Sequence, residues 1–350
     1  MQKIAPIISL VVISISLVAC LQEQDPLPVE TKILDDRVMP VDYKLGIFSL
    51  NPATKTVYGA RGVELYRINE NGDQITLVNR FSDKINAIHF ASSGLYVATD
   101  NNHWEAEKPC RIYRSVDGGQ SFKQIWTMQD SSVLWWSITS NSKGDVFLGE
   151  YGPRDIGISK RVWRSTNEGE TWQVVFQADN NDRLHIHRVI VDPFTDDIWI
   201  TVGDGSKNRG AFVSRDGADS WQRLLDTQAT SIIFTSNAVY FGEDHRKYGR
   251  VSRYDRDSGQ YEEVFQAADF GNYGGSVYDL GLGDGGNVYV PTMKYDNQDH
   301  IASLWTGRGD KWKLLLRLES HAGKATGLST IAGPDSSGLM YVTGYKIRDN

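Results

Sequence analysis

Short apolar segments with an aromatic residue near the centre recur along most of this chain. Seven copies begin 38 to 52 residues apart, and each follows another short apolar segment. Nowhere do apolar residues keep a 3.6-residue period for long enough to form a substantial helix. The pattern therefore predicts an all-β chain built from short strands. The seven copies lie at residues 56–58, 94–97, 145–148, 197–200, 238–241, 287–290 and 338–342.

Four short strands per repeat, repeated around an axis, are the sequence form of a β-propeller. After the six complete repeats come two further strands near residues 326–332 and 338–344, and a strand within 29–36 would complete that last blade. We therefore predict a single propeller of four-stranded antiparallel blades over residues 43–350, with an N-terminal strand closing the last blade. Seven blades are favoured, and six is the alternative. The complete repeats span about 43–80, 85–127, 132–177, 185–225, 229–265 and 276–317.

Three segments, at residues 115–122, 165–172 and 214–221, match one another closely. They resemble the Asp box, or BNR repeat, of sialidases and many other β-propellers, Ser-x-Asp-x-Gly-x-Thr-Trp. An Asp or Asn in such a turn accepts backbone N–H bonds, so the third residue of each copy is expected to be structural. Sialidase activity is not expected, because the chain lacks the Arg-Ile-Pro motif of that family. The third residues are Asp117, Asn167 and Asp216.

The N-terminus predicts an export signal. An apolar run over residues 7–19 follows Lys3 and is shorter than the roughly 20 residues that a membrane-spanning helix needs. Residues 17–20, Leu-Val-Ala-Cys, resemble a bacterial lipobox, which implies cleavage before Cys20 and acylation of Cys20, palmitate included. We expect a signal peptide over 1–19, a lipidated tether over 20–42 and an extracytoplasmic protein at the bacterial outer membrane or cell surface.

The net charge and the cysteine content limit the classes of binding partner that the sequence predicts. The net charge is −7, which disfavours a broad surface for nucleic acid or anionic lipid. The two cysteines are Cys20 and Cys110, so acylation of Cys20 leaves no disulfide framework. We therefore expect contact with the membrane through the N-terminal lipid alone, and no nucleic-acid partner.

One end of the predicted ring carries the candidate chemistry. Its connections hold six of the seven histidines, whereas the other end carries short turns. Loops on a rigid scaffold are where binding residues concentrate, so we expect an extracellular polysaccharide or oligosaccharide to bind there. The candidate substrate-binding residues are Arg154, Glu150, His103, Asp204, His245, Arg246, Lys294 and Tyr295.

His185 and His187 lie two residues apart on a predicted strand, so they point to one side of it. With Tyr151 they are the candidate catalytic acid and base residues, and Arg154 is suited to bind a carboxylate bidentately. This set suits a lyase that cleaves a uronate polymer by β-elimination, and it is faintly similar to the propeller polysaccharide lyases. No cofactor is predicted, although a His-x-His pair is also typical of metal sites and of histidines with no chemistry.

Two other functions stay open. A glycoside hydrolase needs a carboxylate pair, and Glu150 with Asp204 or Glu243 is the candidate set. A non-catalytic, protein-binding or assembly-factor propeller with a membrane-protein partner would use its loop aromatics as contact residues. Those aromatics are Trp104, Tyr151, Tyr248, Tyr273 and Tyr295.

Overall fold

The computed structural model describes most of the chain as β-strand. The two helical elements within the described ranges are short 3-10 helices, Ala267–Phe270 and Asp284–Gly286. No helix in these ranges is long and apolar enough to cross a membrane. The described residues are 11–16, 30–100, 109–129, 131–152, 160–178, 185–204, 208–295, 299–319 and 325–345.

Three N-terminal strands precede five blades of four consecutive antiparallel strands. The N-terminal strands are β1 (Val11–Ser16), β2 (Glu30–Ile33) and β3 (Val38–Val41). The five blades are β4 (Ile47–Leu50), β5 (Val57–Arg61), β6 (Glu64–Ile68) and β7 (Ile75–Arg80); β8 (Ile85–Ala91), β9 (Gly94–Thr99), β10 (Cys110–Ser115) and β11 (Lys123–Met128); β12 (Ile138–Ser140), β13 (Val146–Gly149), β14 (Arg161–Ser165) and β15 (Gln173–Gln177); β16 (His185–Val191), β17 (Ile198–Gly203), β18 (Gly210–Ser214) and β19 (Gln222–Leu225); β20 (Ala229–Phe234), β21 (Ala238–Glu243), β22 (Arg250–Asp255) and β23 (Tyr261–Gln266).

The sixth and seventh blades complete the ring. The remaining strands are β24 (Gly281–Leu282), β25 (Val288–Pro291), β26 (Met293–Lys294), β27 (Ala302–Arg308), β28 (Lys311–Glu319), β29 (Thr326–Ala332) and β30 (Met340–Tyr345). The sixth blade has the order β24-β25-β27-β28-β2, and the seventh has the order β26-β29-β30-β1-β3. The prediction of an all-β propeller with seven blades is confirmed.

An N-terminal strand closes the last blade, but it is not the one predicted. β3 forms the outer edge of the seventh blade through parallel pairing with β1, which itself pairs in parallel with β30. β1 lies within residues 1–19, so in the full chain part of the segment predicted as a signal peptide belongs to this blade. β2, within the predicted 29–36, instead pairs antiparallel with β28 of the sixth blade. The reason is a turn at Asp35, whose carboxylate accepts the backbone N–H of Arg37 at 3.0 Å and separates β2 from β3.

The recurring aromatic positions form the core between blades. Tyr96, Phe147 and Tyr341 are fully buried, and Trp199 and Tyr289 nearly so. Burying a large apolar side chain contributes roughly 1.5–3 kcal/mol, so one such residue per repeat stabilises each blade against its neighbour. The seven copies seen in the sequence therefore mark the packing layer of the ring.

The three matching segments fold into one and the same turn, each between the two outer strands of a blade. In the first, Oδ1 of Asp117 accepts the backbone N–H of Ser121 at 2.9 Å, and Oγ of Ser115 accepts that of Gly119 at 2.8 Å. Asn167 and Asp216 accept the equivalent bonds at 2.9 Å in the next two blades. These residues are structural, as expected.

Candidate functional site

A cavity of about 450 Å³ lies at the loop-rich end of the ring. Its walls come from the third, fourth, fifth and sixth blades and from the connection after β26. Its lining combines aromatic side chains with several polar and charged groups, as a binding site for a small polar ligand would. The lining residues are Trp136, Tyr151, His187, Asp204, Gln228, Thr230, Asp244, His245, Arg246, Tyr278 and Tyr295.

His185 and His187 both lie on β16, the innermost strand of the fourth blade, and both are buried. The register of β16 against β17 shifts at His187, which makes that residue part of a β-bulge. A bulge bends the strand and re-aims a side chain. Gly203 leaves room for the imidazole, since a Cβ there would lie 1.9 Å from Cε1 of His187. The two imidazole rings converge, with centroids 5.2 Å apart.

Asp204 holds these two imidazoles from the end of β17. Its Oδ2 is 3.1 Å from Nε2 of His185, and its Oδ1 is 3.5 Å from Nε2 of His187. Burial raises the pKa of Asp204, but its interactions with the two histidines more than offset that effect and hold the pKa far below its usual range. Asp204 has a φ of +66°, a left-handed conformation that aspartate adopts more readily than most residues.

The second nitrogen of His187 fixes its tautomer. Nδ1 lies 3.2 Å from the carbonyl oxygen of Ala229, which can only accept, so Nδ1 carries a proton and donates it. Both nitrogens of His187 are therefore engaged, one by this carbonyl and the other by Asp204. His185, His187 and Asp204 each offer a ligand atom, and the three atoms lie within 4.8 Å of one another. Such a set can hold a metal ion or share protons.

Aromatic rings form one wall of the cavity. The ring of Tyr151 lies 4.6 Å from that of His185 and 6.0 Å from that of Trp136, measured between centroids. Tyr278 continues the wall, 5.6 Å from Trp136 and 6.2 Å from Tyr295. Flat apolar faces beside polar groups suit the ring of a sugar, which has apolar C–H faces and a polar edge.

The lining beside Tyr295 also carries charge. The guanidinium of Arg246 lies over the ring of Tyr295, 4.6 Å from its centroid. Asp244 accepts a hydrogen bond from Oγ of Ser276 at 2.5 Å. Burial raises the pKa of Tyr295, and the nearby Asp244 adds to the effect, so its phenol is neutral. Arg246 is thus the arginine that lines the cavity in the described part of the chain.

Not every predicted residue lies in the cavity. The carboxylate of Glu150 is fully buried and accepts hydrogen bonds from Nη2 of Arg161 and Nε1 of Trp163, both at 2.8 Å. Lys294 is buried on β26 and is absent from the described lining, and burial lowers its pKa. Of the hydrolase candidates, Glu243 accepts from Ser252, which leaves Asp204 as the one that lines the cavity.

Predicted residues that lie outside the described ranges are His103, Arg154, Cys20 and Trp104. The proposed roles of these residues therefore stay predictions. Asp204, His187, Tyr151, His245, Arg246 and Tyr295 line the cavity together, and His185 lies beside it.

Five lining residues were missing from the predicted set. Several of these residues lie just before the innermost strand of a blade or at its start, close to the axis of the ring. The connections from one blade to the next were therefore the part of the sequence that could have predicted them. The paired tryptophans before β12 were the clearest part of that signal. The five are Trp136, Gln228, Thr230, Asp244 and Tyr278.

Comparison with known proteins supports the propeller fold. A family model described as sortilin, neurotensin receptor 3, matches residues 110–279, which include the His185–Asp204 group. No curated protein matches the chain. The matching family is a β-propeller family, in agreement with the seven blades.

Solved structures show the same fold at low identity. A GH74 enzyme from Niastella koreensis is 13% identical with a TM-score of 0.57, over 85% of this chain and 53% of that one. The extracellular domain of the hybrid two-component system BT4673 from B. thetaiotaomicron is 12% identical with a TM-score of 0.57, over 86% and 37%. A chain of the mitotic checkpoint complex is 12% identical with a TM-score of 0.53, over 95% and 99%. The chain thus spans about half the length of the first and just over a third of the second.

Proposed function

We propose that this protein binds an anionic extracellular polysaccharide in the cavity and cleaves it as a uronate lyase. The observation that carries the proposal is that three kinds of functional group meet at one cavity. Tyr151, the His185–His187–Asp204 group and Arg246 meet at one cavity that also has an aromatic wall. An acid/base group, a carboxylate-binding group and a sugar-stacking surface are the three parts that this reaction requires.

The chemistry is a β-elimination. A base removes the proton at C5 of the uronate, a double bond forms between C4 and C5, and the C4–O glycosidic bond breaks. The leaving oxygen then takes up a proton. Charge on the uronate carboxylate opposes loss of the C5 proton, so that carboxylate must be neutralised by a cationic group. Arg246 supplies a planar guanidinium suited to bind the carboxylate bidentately.

Proton transfer falls to Tyr151 in this proposal. Both nitrogens of His187 are engaged, by Ala229 and by Asp204, whereas the phenol of Tyr151 lies in the cavity wall beside His185. A tyrosine can donate and accept a proton at the same oxygen. His185 and His187 then act beside Tyr151 as the polar group that positions the substrate.

We also propose that the protein is lipid-anchored at Cys20 and extracytoplasmic, in a processed form from which residues 1–19, β1 included, have been removed. The lipobox-like residues 17–20 and the apolar run before them support this location. An anchored ring would meet polymeric substrates outside the cytoplasm. One of the similar structures is an enzyme, which accords with a catalytic role for a ring of this architecture.

The test is incubation of the purified protein with a panel of uronate polysaccharides, followed by ultraviolet absorbance of unsaturated uronate ends. We expect absorbance to rise with at least one polymer, and Arg246→Gln to raise KM for it. Arg215→Gln is the matched control, because Arg215 is exposed, pairs with Asp197 and does not line the cavity. Absence of absorbance with every polymer, or equal kinetics for both variants, would contradict the proposal.

A second candidate is a protein-binding propeller. The match to the sortilin model over residues 110–279 favours it, since the description of that family names a receptor. In that case the aromatic wall would contact a peptide rather than a sugar. Capture of a defined protein partner that Trp136→Ala releases, together with no polysaccharide cleavage, would favour this function over the lyase.

A further inference from the structure

We propose that His185, His187 and Asp204 bind a divalent transition-metal ion with one coordination position open to the cavity. This inference rests on the proposed function and deepens it. The metal ion would supply a cation for the anionic sugar in the same cavity. The metal would be held by two imidazole nitrogens and one carboxylate oxygen. A substrate oxygen would take the open position.

The distances between the three groups fit a metal of this class. Zinc binds histidine nitrogen and carboxylate oxygen at about 2.0–2.2 Å in tetrahedral geometry, which places neighbouring ligand atoms about 3.3 Å apart. Oδ2 of Asp204 lies 3.1 Å from Nε2 of His185, and the other oxygen, Oδ1, lies 3.5 Å from Nε2 of His187. All three ligand atoms lie within 4.8 Å of one another, so one ion can reach them with small shifts.

The orientation of His187 is that of a metal ligand. Its Nδ1 donates to the carbonyl oxygen of Ala229, and metal-binding histidines usually donate their other ring N–H to a carbonyl or carboxylate. The lone pair of Nε2 in the neutral ring therefore points at the Asp204 carboxylate. Two acceptors repel each other unless a proton or a cation lies between them.

The two histidines are also buried side by side. His185 is 1% exposed and His187 is 2% exposed, and their ring centroids are 5.2 Å apart. One divalent ion, bound to both imidazoles and to the carboxylate, satisfies all three groups at once.

The charge of the cavity points the same way. In the described lining, Arg246 is opposed by two carboxylates, those of Asp204 and Asp244. A divalent ion at Asp204 would offset these two carboxylates and strengthen the attraction of the cavity for a uronate. Three protein ligands with one open position are typical of catalytic rather than structural zinc sites.

The ligand set also selects the class of ion. Imidazole nitrogen suits zinc, copper, iron and nickel, whereas calcium, magnesium and manganese prefer sites made of oxygen. We therefore expect zinc to bind more tightly than calcium or magnesium. Cobalt is a useful probe, because its visible absorbance reports the coordination geometry directly.

The test is calorimetric titration of chelator-treated, untagged protein with zinc chloride in the absence of any sugar. We expect one zinc ion per chain, and more than about 100-fold weaker binding in His187→Ala and Asp204→Asn, since loss of a mere supporting group already costs 10–100-fold. His245→Ala is the matched control, because His245 lines the cavity but does not belong to the three-residue group. It should bind zinc as the natural protein does.

Circular dichroism of each metal-free variant checks folding separately. Asp204→Asn is the conservative variant, because asparagine has nearly the same shape as aspartate. No zinc binding to the folded natural protein, or equal binding by Asp204→Asn, overturns the proposal and leaves a group held by protons alone. The cobalt-loaded protein should show visible bands of tetrahedral coordination, and these bands should shift in the histidine variant. A spectrum without such bands would overturn the proposal as well.

The two proposals fail in different ways. Zinc bound at one ion per chain without cleavage of any polysaccharide would leave the metal site standing and remove the lyase. Polysaccharide cleavage by a protein that binds no zinc in the titration would keep the lyase and remove the metal site.

Discussion

Nη2 of Arg188 donates to Oδ1 of Asp279 at 2.7 Å, and this buried pair joins blades that are not neighbours. Arg188 lies on β16 of the fourth blade, while Asp279 comes just before β24 of the sixth. Nε of the same guanidinium donates to the carbonyl oxygen of Thr230 in the fifth blade, and Asp279 accepts the N–H of Ile331 in the seventh. The pair thus links four blades.

Removing one partner of this pair should destabilise the ring. Asp279→Ala leaves the Arg188 guanidinium buried without its charge partner, and loss of one partner in a buried pair costs about 3–5 kcal/mol. We expect the free energy of unfolding in urea to fall by that amount. Arg209→Ala, which breaks an exposed pair with Asp226, should change it by less than about 1 kcal/mol. Equal losses in the two variants would show that the Arg188–Asp279 pair has no special role.

Tyr151 is expected to act in proton transfer rather than in binding. Tyr151→Phe removes the hydroxyl and keeps the ring that packs 4.6 Å from His185 and 6.0 Å from Trp136. We therefore expect kcat for polysaccharide cleavage to fall by about 10²–10⁴, with KM nearly unchanged. Tyr248→Phe is the control, since Tyr248 packs on His245 but does not line the cavity. A raised KM with unchanged kcat in Tyr151→Phe would instead assign Tyr151 to substrate binding.

The stability of the protein should fall as the pH drops from about 6.5 to about 4. Burial lowers the pKa of His89 to about 4, and burial together with the nearby Lys294 does the same for His300. An unfolded chain, whose histidines titrate near 6.5, binds more protons in this range than the folded one. The contribution of the two neutral rings to the free energy of unfolding is complete above pH 6.5, and it is lost as the pH falls from 6.5 to about 4.

Urea unfolding at several pH values measures this dependence. His89→Gln should reduce the slope of stability against pH, because glutamine keeps a polar partner for Oγ of Ser140 but does not titrate. A slope unchanged in both His89→Gln and His300→Gln would mean that other groups control the acid sensitivity.

Cys20 should determine the location of the protein. With the lipobox-like residues 17–20 in place, we expect the chain to partition with membranes and to incorporate labelled palmitate in a bacterial host. Cys20→Ser should abolish labelling and release the protein into the soluble extracytoplasmic fraction, while Cys110→Ser should not. Labelling that persists in Cys20→Ser would contradict the proposed anchor.

The ring was predictable from sequence because its signals are local. Each repeat carries its own buried aromatic, such as Tyr96 or Phe147, and turns such as that at Asp117 are built from residues four apart. The closing strand was less predictable, because β2 and β3 are both short and extended. The turn at Asp35 decides which blade receives each of them.

The site was only partly predictable, since it depends on distances between blades. Glu150 and Tyr151 follow the end of β13, where strand alternation no longer applies, so the sequence alone did not reveal that Tyr151 faces the cavity and Glu150 faces Arg161. The bulge at His187 is likewise a matter of register. Tyr278 joins the wall only because ring closure brings its blade to Trp136.

Gly203 is expected to be essential for the geometry of the site. A Cβ at this position would lie 1.9 Å from Cε1 and 2.3 Å from Nδ1 of His187, so Gly203→Ala must displace the imidazole. Displacement breaks the bond from Nδ1 to Ala229 and moves Nε2 away from Asp204. We expect zinc affinity and polysaccharide cleavage to fall together, with a loss in stability of about 1–3 kcal/mol from overpacking.

Gly46→Ala supplies the matched control for that variant. A Cβ at Gly46 meets only the carbonyl oxygen of Ala60, at an ordinary contact distance of 3.9 Å. It should therefore leave zinc affinity, cleavage and the urea midpoint close to those of the natural protein. If Gly203→Ala kept the zinc affinity and cleavage rate of Gly46→Ala, the orientation of His187 would not control the site, and its hydrogen bond to Ala229 would be dispensable. If both variants lost binding and stability alike, the effect would come from the inner strands in general and not from the contact with His187.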